Sequence, residues 1–175
     1  SQGWTNLTKI QANSTYDTNY VVAYKRMGST PDTSVTVSGT GSVDDAGAVV
    51  VHVFRGVDET TPLDVSAVSA TGGNTSLANP PAITPVTSGA IIIASAATAY
   101  AEAAARTFSS PELFNFRSQG ANDTYDVSVG AGWTDWTSGT FDPAAFSWSG
   151  TDSTNNSWAA YTLALRPAPE PDPPS

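Results

Sequence analysis

The chain has 175 residues, enough for one well-buried domain and too few for two comfortable ones. Seven Lys and Arg against sixteen Asp and Glu leave a net charge of -9 with no basic cluster, which argues against a nucleic-acid backbone or an anionic membrane as partner. With no cysteine there is neither a disulfide framework nor a thiolate metal site, and no apolar run approaches the roughly 20 residues needed to span a bilayer as a helix.

The opening Ser1-Gln2-Gly3-Trp4 is already strand-like, which points to a segment cut from something longer. Trp4 to Gln11 alternates, and Thr18 to Met27 reads as a strong strand around Tyr20, Val22 and Tyr24, with Asn13, Ser14 and Asp17 marking the turn between them. Ser34 to Ser38 alternates as for a sheet with one face in water. Glycines and aspartates then punctuate a turn before Ala48 to Phe54, the most apolar stretch so far, which reads as a central strand with Val49, Val51 and Val53 in the core. Asp64 to Ala70 alternates again, and the prolines from Asn79 to Pro85 restrict that segment to an edge or a connecting arm. Gly89 to Ala97, with Ile91 and Ile93, is a second buried strand. Ala99 to Arg106 is alanine-rich and pairs Glu102 with Arg106 at helical spacing, so at most a short helical segment is expected near 99–106.

Glu112 to Ser118, Tyr125 to Trp133 with Val127 and Val129, and Ser157 to Arg166 with Tyr161 and Leu163 complete about nine short strands. The fold class is therefore all-β: a two-sheet antiparallel sandwich, jelly-roll-like, over residues 1–166. Residues 167–175, where prolines alternate with small or acidic residues, form an extended tail or linker. Gly3-Trp4-Thr5 recurs as Gly132-Trp133-Thr134, which suggests two similar hairpins within one sandwich.

Chemistry is sparse. A Ser-His-Asp arrangement needs a histidine beside a nucleophile, and the single histidine, His52, sits mid-strand with no nucleophile elbow anywhere in the chain. Its expected role is to bond neighbouring strands. The adjacent carboxylates Asp44-Asp45 and Asp58-Glu59 could serve glycoside hydrolysis only if paired across a cleft, and they read better as turn formers. Asn122 to Asp126 is the best oxygen-rich cluster for calcium, but it lacks the calcium-loop framework and is taken as a turn. No catalytic residue, metal or cofactor is assigned.

The densest unusual feature runs from Trp133 to Trp158, where rings alternate with carboxylates and amides. Aromatic faces stack on the apolar face of a sugar while polar groups bond its hydroxyls. The candidate ligand-binding set is Trp136, Trp148, Phe141 and Phe146 with Asp135, Asp142, Asp152 and Asn155. The competing reading is that most of these rings anchor a long connection to the core.

Gly3 to Leu7, Val21 to Arg26, the step Val51-His52-Val53-Phe54-Arg55-Gly56-Val57-Asp58 with Pro62-Leu63-Asp64-Val65, and Trp158 to Pro167 together resemble a β-sandwich module of tail and other virion proteins of tailed phages and prophages. The resemblance covers most of residues 3–167. It implies a non-catalytic structural or surface role on the outside of a virion, as a fibre or decoration domain, with other virion proteins or copies of the same chain as partners. Similar modules have a strand before the Gly-Trp-Thr step, so an unpaired sheet edge is expected near the amino terminus, filled by upstream sequence or by a neighbour in a homo-oligomer. A host surface glycan is the expected ligand, with neither nucleic acid nor membrane insertion. The alternatives are a carbohydrate-binding module of a secreted multidomain enzyme, for which the proline-rich tail would be a linker, and a glycan hydrolase.

Overall fold

Among the described residues ten antiparallel strands build the fold and no helix occurs. The computed structural model describes residues 3–37, 47–73, 77–100, 106–110, 112–121, 126–148 and 156–170. The strands are β1 (Thr5–Ala12), β2 (Thr18–Tyr24), β3 (Val68–Gly73), β4 (Leu77–Ala78), β5 (Ile91–Tyr100), β6 (Phe108–Ser109), β7 (Phe114–Ala121), β8 (Asp126–Asp135), β9 (Phe146–Trp148) and β10 (Ser157–Leu165).

The central element is a five-stranded sheet in the order β3-β10-β5-β8-β7. The last strand of the chain thus lies between β3 and β5, the crossing connectivity of a jelly-roll-like sandwich. Side chains alternate across a strand, so even and odd residues of β5, β8 and β10 reach opposite faces. On the even face Ala94, Ala96, Trp158 and Ala160 meet Ala78, Phe108, Phe146 and Trp148 of a three-stranded sheet ordered β4-β9-β6. On the odd face Ala159, Tyr161, Leu163 and Ile93 meet Leu7, Ile10, Ala12, Tyr20 and Val22 of the β1-β2 hairpin. Covered on both faces, β10 is buried over its first eight residues, and both sequence periods along it had to be apolar or small.

Small residues on the even face are a packing requirement. A Cβ on Gly130 would lie 2.7 Å from Phe108 Cβ and 2.8 Å from Phe116 Cζ, so the aromatic rings occupy the volume these glycines leave open. Thr18 pins the hairpin to the sheet: Oγ1 donates to the Ser157 carbonyl at 2.9 Å and accepts from Ala99 N at 2.8 Å.

Two expectations need correction. The segment 47–54 is extended but is no strand among the described residues, and its phase is the reverse of the expected one. Val49, Val51 and Val53 are exposed, whereas His52 and Phe54 turn inward, because their rings reach the carbonyl of Ala131 and the ring of Trp133. The two Gly-Trp-Thr copies are not equivalent: one opens the β1-β2 hairpin, while the other lies inside β8, where Trp133 pairs with Ile93 and Phe114. Near 99–106, where at most a short helical segment is expected, Ala99 and Tyr100 continue β5, paired with Val127 and Asp126, in keeping with the all-β class, and 101–105 lies outside the described residues.

The Arg55-Gly56-Val57-Asp58 step and Asp64 have a structural task. Gly56, with φ of 71°, turns the chain so that Asp58 N donates to Arg166 O at 2.9 Å and Ala168 N donates to Gly56 O at 2.7 Å. The Asp58 carboxylate accepts from Thr61 N, Thr60 Oγ1 and Thr60 N, and these bonds hold it below the usual carboxylate range. The Asp64 side chain is fully buried and accepts from Val86 N at 2.6 Å, Thr87 N at 3.0 Å and Arg166 Nε at 3.2 Å. Burial opposes its charge, yet the bonds from Thr87, Val86 and Arg166 outweigh burial and lower its pKa. The Arg-Gly-Val-Asp step and Asp64 therefore clamp the 56–64 connection to the end of β10.

Candidate functional site

The expected ligand-binding residues divide between core and surface. Phe146 and Trp148 alternate with Ser147 on β9 and point into the even-face core, 0% and 7% exposed, with Phe108 edge-on to both rings at 6.3 and 5.5 Å. Their rings are anchors, and no flat face is offered to solvent. Trp136 and Phe141 come together against Ile83, Ile92 and Ala164 in a smaller cluster at the end of that face. Both are half-buried; Trp136 Nε1 donates to Gly139 O at 2.9 Å, and Phe141 pairs reciprocally with Ile83. Asp135 and Asp142 are exposed, while Asp152 and Asn155 lie outside the described residues.

A different aromatic group is open to solvent. On the odd face, beyond the reach of the hairpin, the rings of His52, Phe54, Trp133 and Phe114 form a continuous row. Successive centroids are 6.1 Å apart for His52-Phe54, 6.3 Å for Phe54-Trp133 and 5.4 Å for Trp133-Phe114. Phe114 ends the row at 55% exposure, the one aromatic ring among the exposed large hydrophobics of the described residues.

Local backbone geometry puts it there. Phe114 and Phe116 have the same parity and would share a face in a regular strand. The register of β7 against β8 shifts between Phe114 and Arg117, and Asn115 between the rings has φ of 46°, a conformation that asparagine tolerates better than most residues. Phe116 therefore packs into the even face against Phe146 at 5.2 Å, while Phe114 turns over Trp133 on the odd face. Asp135 follows Trp133 by two residues on β8, sharing that face, and is exposed. Exposed Asn115 and Arg117 flank Phe114 on the edge strand.

His52 Nε2 lies 3.3 Å from the Ala131 carbonyl, as expected for a histidine that bridges strands. Asp44 and Asp45 lie outside the described residues, and Glu59 is 3.4 Å from Arg26 at the surface. Of the oxygen-rich stretch considered for calcium, Asp126 is buried at the start of β8 and 122–125 lies outside the described residues. Among the described residues no three His, Cys, Asp or Glu side chains converge as a metal site.

Sequence reading missed the Phe114 platform because its four rings come from three separate segments. The available signal was local: a Phe-Asn-Phe step in which asparagine could take the left-handed turn. Comparison with protein-family models, curated proteins and solved structures finds no match to this chain.

Proposed function

We propose that this chain is a non-catalytic surface domain of a virion, a fibre or decoration domain that touches host surface glycans through the Phe114-Trp133 edge. The observation that carries the reading is the half-exposed Phe114 ring, held against Trp133 by a bulged edge strand with a left-handed asparagine. A ring kept in water at the cost of backbone strain suits stacking on the apolar face of a sugar. Asp135, Asn115 and Arg117 supply hydrogen-bonding groups around it. The fold consumes the groups that could have done chemistry: His52 bonds a strand carbonyl, and Asp58 and Asp64 clamp the 56–64 connection.

One stacked ring contributes about 1 kcal/mol, so a single site binds weakly and useful adhesion requires many copies acting together. A particle surface supplies that multiplicity. The test has two arms. On an array of bacterial surface glycans, Phe114→Ala should lose about fivefold in binding while melting like the parent. Immunogold labelling of source particles should decorate the virion exterior. Undiminished binding by Phe114→Ala sinks the site, and unlabelled particles sink the virion assignment.

A further inference from the structure

The outer layer on the odd face is narrower than the sheet beneath it. The hairpin ends at β1, which approaches the edge strand β3 of the central sheet, and Ser69, Thr71 and Gly73 of β3 stay exposed on that face. The step between the end of β1 and the end of β3 is a groove of about 450 Å³. Its wall carries Gln11, Asn13 and Ser14, and its floor is Thr71 with the backbone of Gly72 and Gly73.

The lining restricts the ligand class by its chemistry. Among the described residues the lining holds no lysine, arginine, histidine, aspartate or glutamate, so these residues offer no charged partner to a phosphate, an anionic sugar or a metal ion. Among the described residues it holds no aromatic ring and no large aliphatic side chain, so it offers little to an apolar ligand. Two carboxamides and two hydroxyls remain, a set in which donors and acceptors are both plentiful and neutral. Among the described residues no hydrogen bond engages the side chains of Gln11, Asn13 or Thr71.

Wall and floor are held in place before any ligand arrives. Ser14 N donates to Asp17 Oδ1 at 3.0 Å, and Ser157 Oγ donates to the Tyr16 carbonyl at 2.6 Å, which fixes the turn carrying Asn13 and Ser14. Beneath the floor, a Cβ on Gly72 would fall 2.5 Å from the Trp158 ring, so the strand lies directly on a buried indole. Such preorganisation lowers the ordering cost of binding.

We propose that this groove is a second binding site, for a neutral polyhydroxylated ligand such as an uncharged sugar residue. It lies diagonally across the domain from Phe114. The two are separated by about 20 Å along the strands, from Ala99 to Ile93, and by about 19 Å across the sheet, from β3 to β7. The groove binds by hydrogen bonds and the Phe114 edge by stacking, so the two sites respond to different substitutions, and the groove stands whether or not the Phe114 reading holds.

The experiment is a titration of the isotope-labelled chain followed by amide chemical shifts, with maltotriose, lactose and N-acetylglucosamine as neutral probes and N-acetylneuraminic acid as the anionic comparator. The expected result is saturable movement at residues 11–14 and 71–73 with at least one neutral probe and none with the anion. Thr71→Val and Gln11→Ala, shown to melt like the parent, should each weaken that response about fivefold. Phe114→Ala should leave it unchanged. The proposal is overturned if no neutral probe gives a saturable shift, if the anion binds equally well, or if the shifts gather around Trp133 instead. It is also overturned if these amides move with protein concentration alone, since a second copy of the chain would then be the occupant.

Discussion

The two faces of the central sheet are covered in contrasting ways. The even face meets three short strands whose rings, Phe108, Phe146 and Trp148, fill the volume left by Ala94, Ala96, Gly130 and Ala160. The odd face is covered by the β1-β2 hairpin and by the extended segment 47–54. That cover leaves a groove at one corner, a half-exposed phenylalanine at the other, and valines facing outward. Stability is concentrated where packing is complete, and surfaces capable of recognition occur where it is not. Substitutions on the two faces should therefore separate into large effects on stability and small ones.

The largest effects belong to the even face. Phe146→Ala removes a ring with no exposure from between Phe108 and Phe116, and a loss of about 3–5 kcal/mol is expected in denaturant unfolding. Trp148→Ala should fall in the same range. A variant of either that melts within a degree of the parent would show that the three-stranded sheet is not packed as described.

Next comes the clamp at the end of β10. Asp64→Ala leaves the amides of Val86 and Thr87 and Arg166 Nε without their carboxylate acceptor, and a cost of about 3 kcal/mol is expected. Because the folded-state pKa of Asp64 is depressed, its contribution is present above the unfolded value of about 3.9 and is lost as pH falls through the lower folded value. Acid unfolding followed by fluorescence should thus shift to higher pH in Asp64→Asn. An unchanged acid midpoint would show that the clamp does not titrate with unfolding.

How much of this was legible in the sequence depends on the length and phase of each segment. The long strands β5, β8 and β10 could be read because apolar residues recur over nine or ten positions. The three-stranded sheet could not, since β4, β6 and β9 span two or three residues and carry no period, so Phe146 and Trp148 looked like rings on a loop. For 47–54 the period was legible and the phase was not. Both parities are apolar, and three valines outranked His52 by hydropathy, although only the rings of His52 and Phe54 have partners on β8. At the candidate site Phe114 depends on a bulge and a left-handed asparagine that register alone reveals. The groove forms where the end of β1 meets the end of β3, segments far apart in the chain, which no local pattern encodes.

A smaller effect is expected under the hairpin. Burial pushes the Tyr20 hydroxyl up to about 12, partly offset by a hydrogen bond with Ser95 and reinforced by Tyr161. Its folded value exceeds the unfolded value of about 10, so its contribution is complete below pH about 10 and is lost as pH rises toward 12. Tyr20→Phe should cost about 1 kcal/mol at neutral pH and flatten the decline in alkali. If the alkaline decline is the same in Tyr20→Phe as in the parent, the hairpin does not seal that hydroxyl.

The smallest effect is the one that tests the exposed side of the comparison. Val49, Val51 and Val53 are 44%, 46% and 69% exposed, and the side chains that hold the segment to the sheet are His52 and Phe54, of the opposite parity. Threonine keeps the β-branched shape that favours extended backbone and exchanges a methyl group for a hydroxyl that water can bond. The triple change Val49→Thr, Val51→Thr and Val53→Thr should shift stability by no more than about 0.5 kcal/mol per site, against several kcal/mol for Phe146→Ala on the opposite face. The measurement is a pair of denaturant curves at low and high protein concentration. A large loss at both concentrations would mean that the valines are packed within the chain and that the phase of 47–54 is the reverse of the one described. A loss that grows with concentration would mean that a second chain covers these valines in solution, because association stabilises the parent only when its partner is abundant.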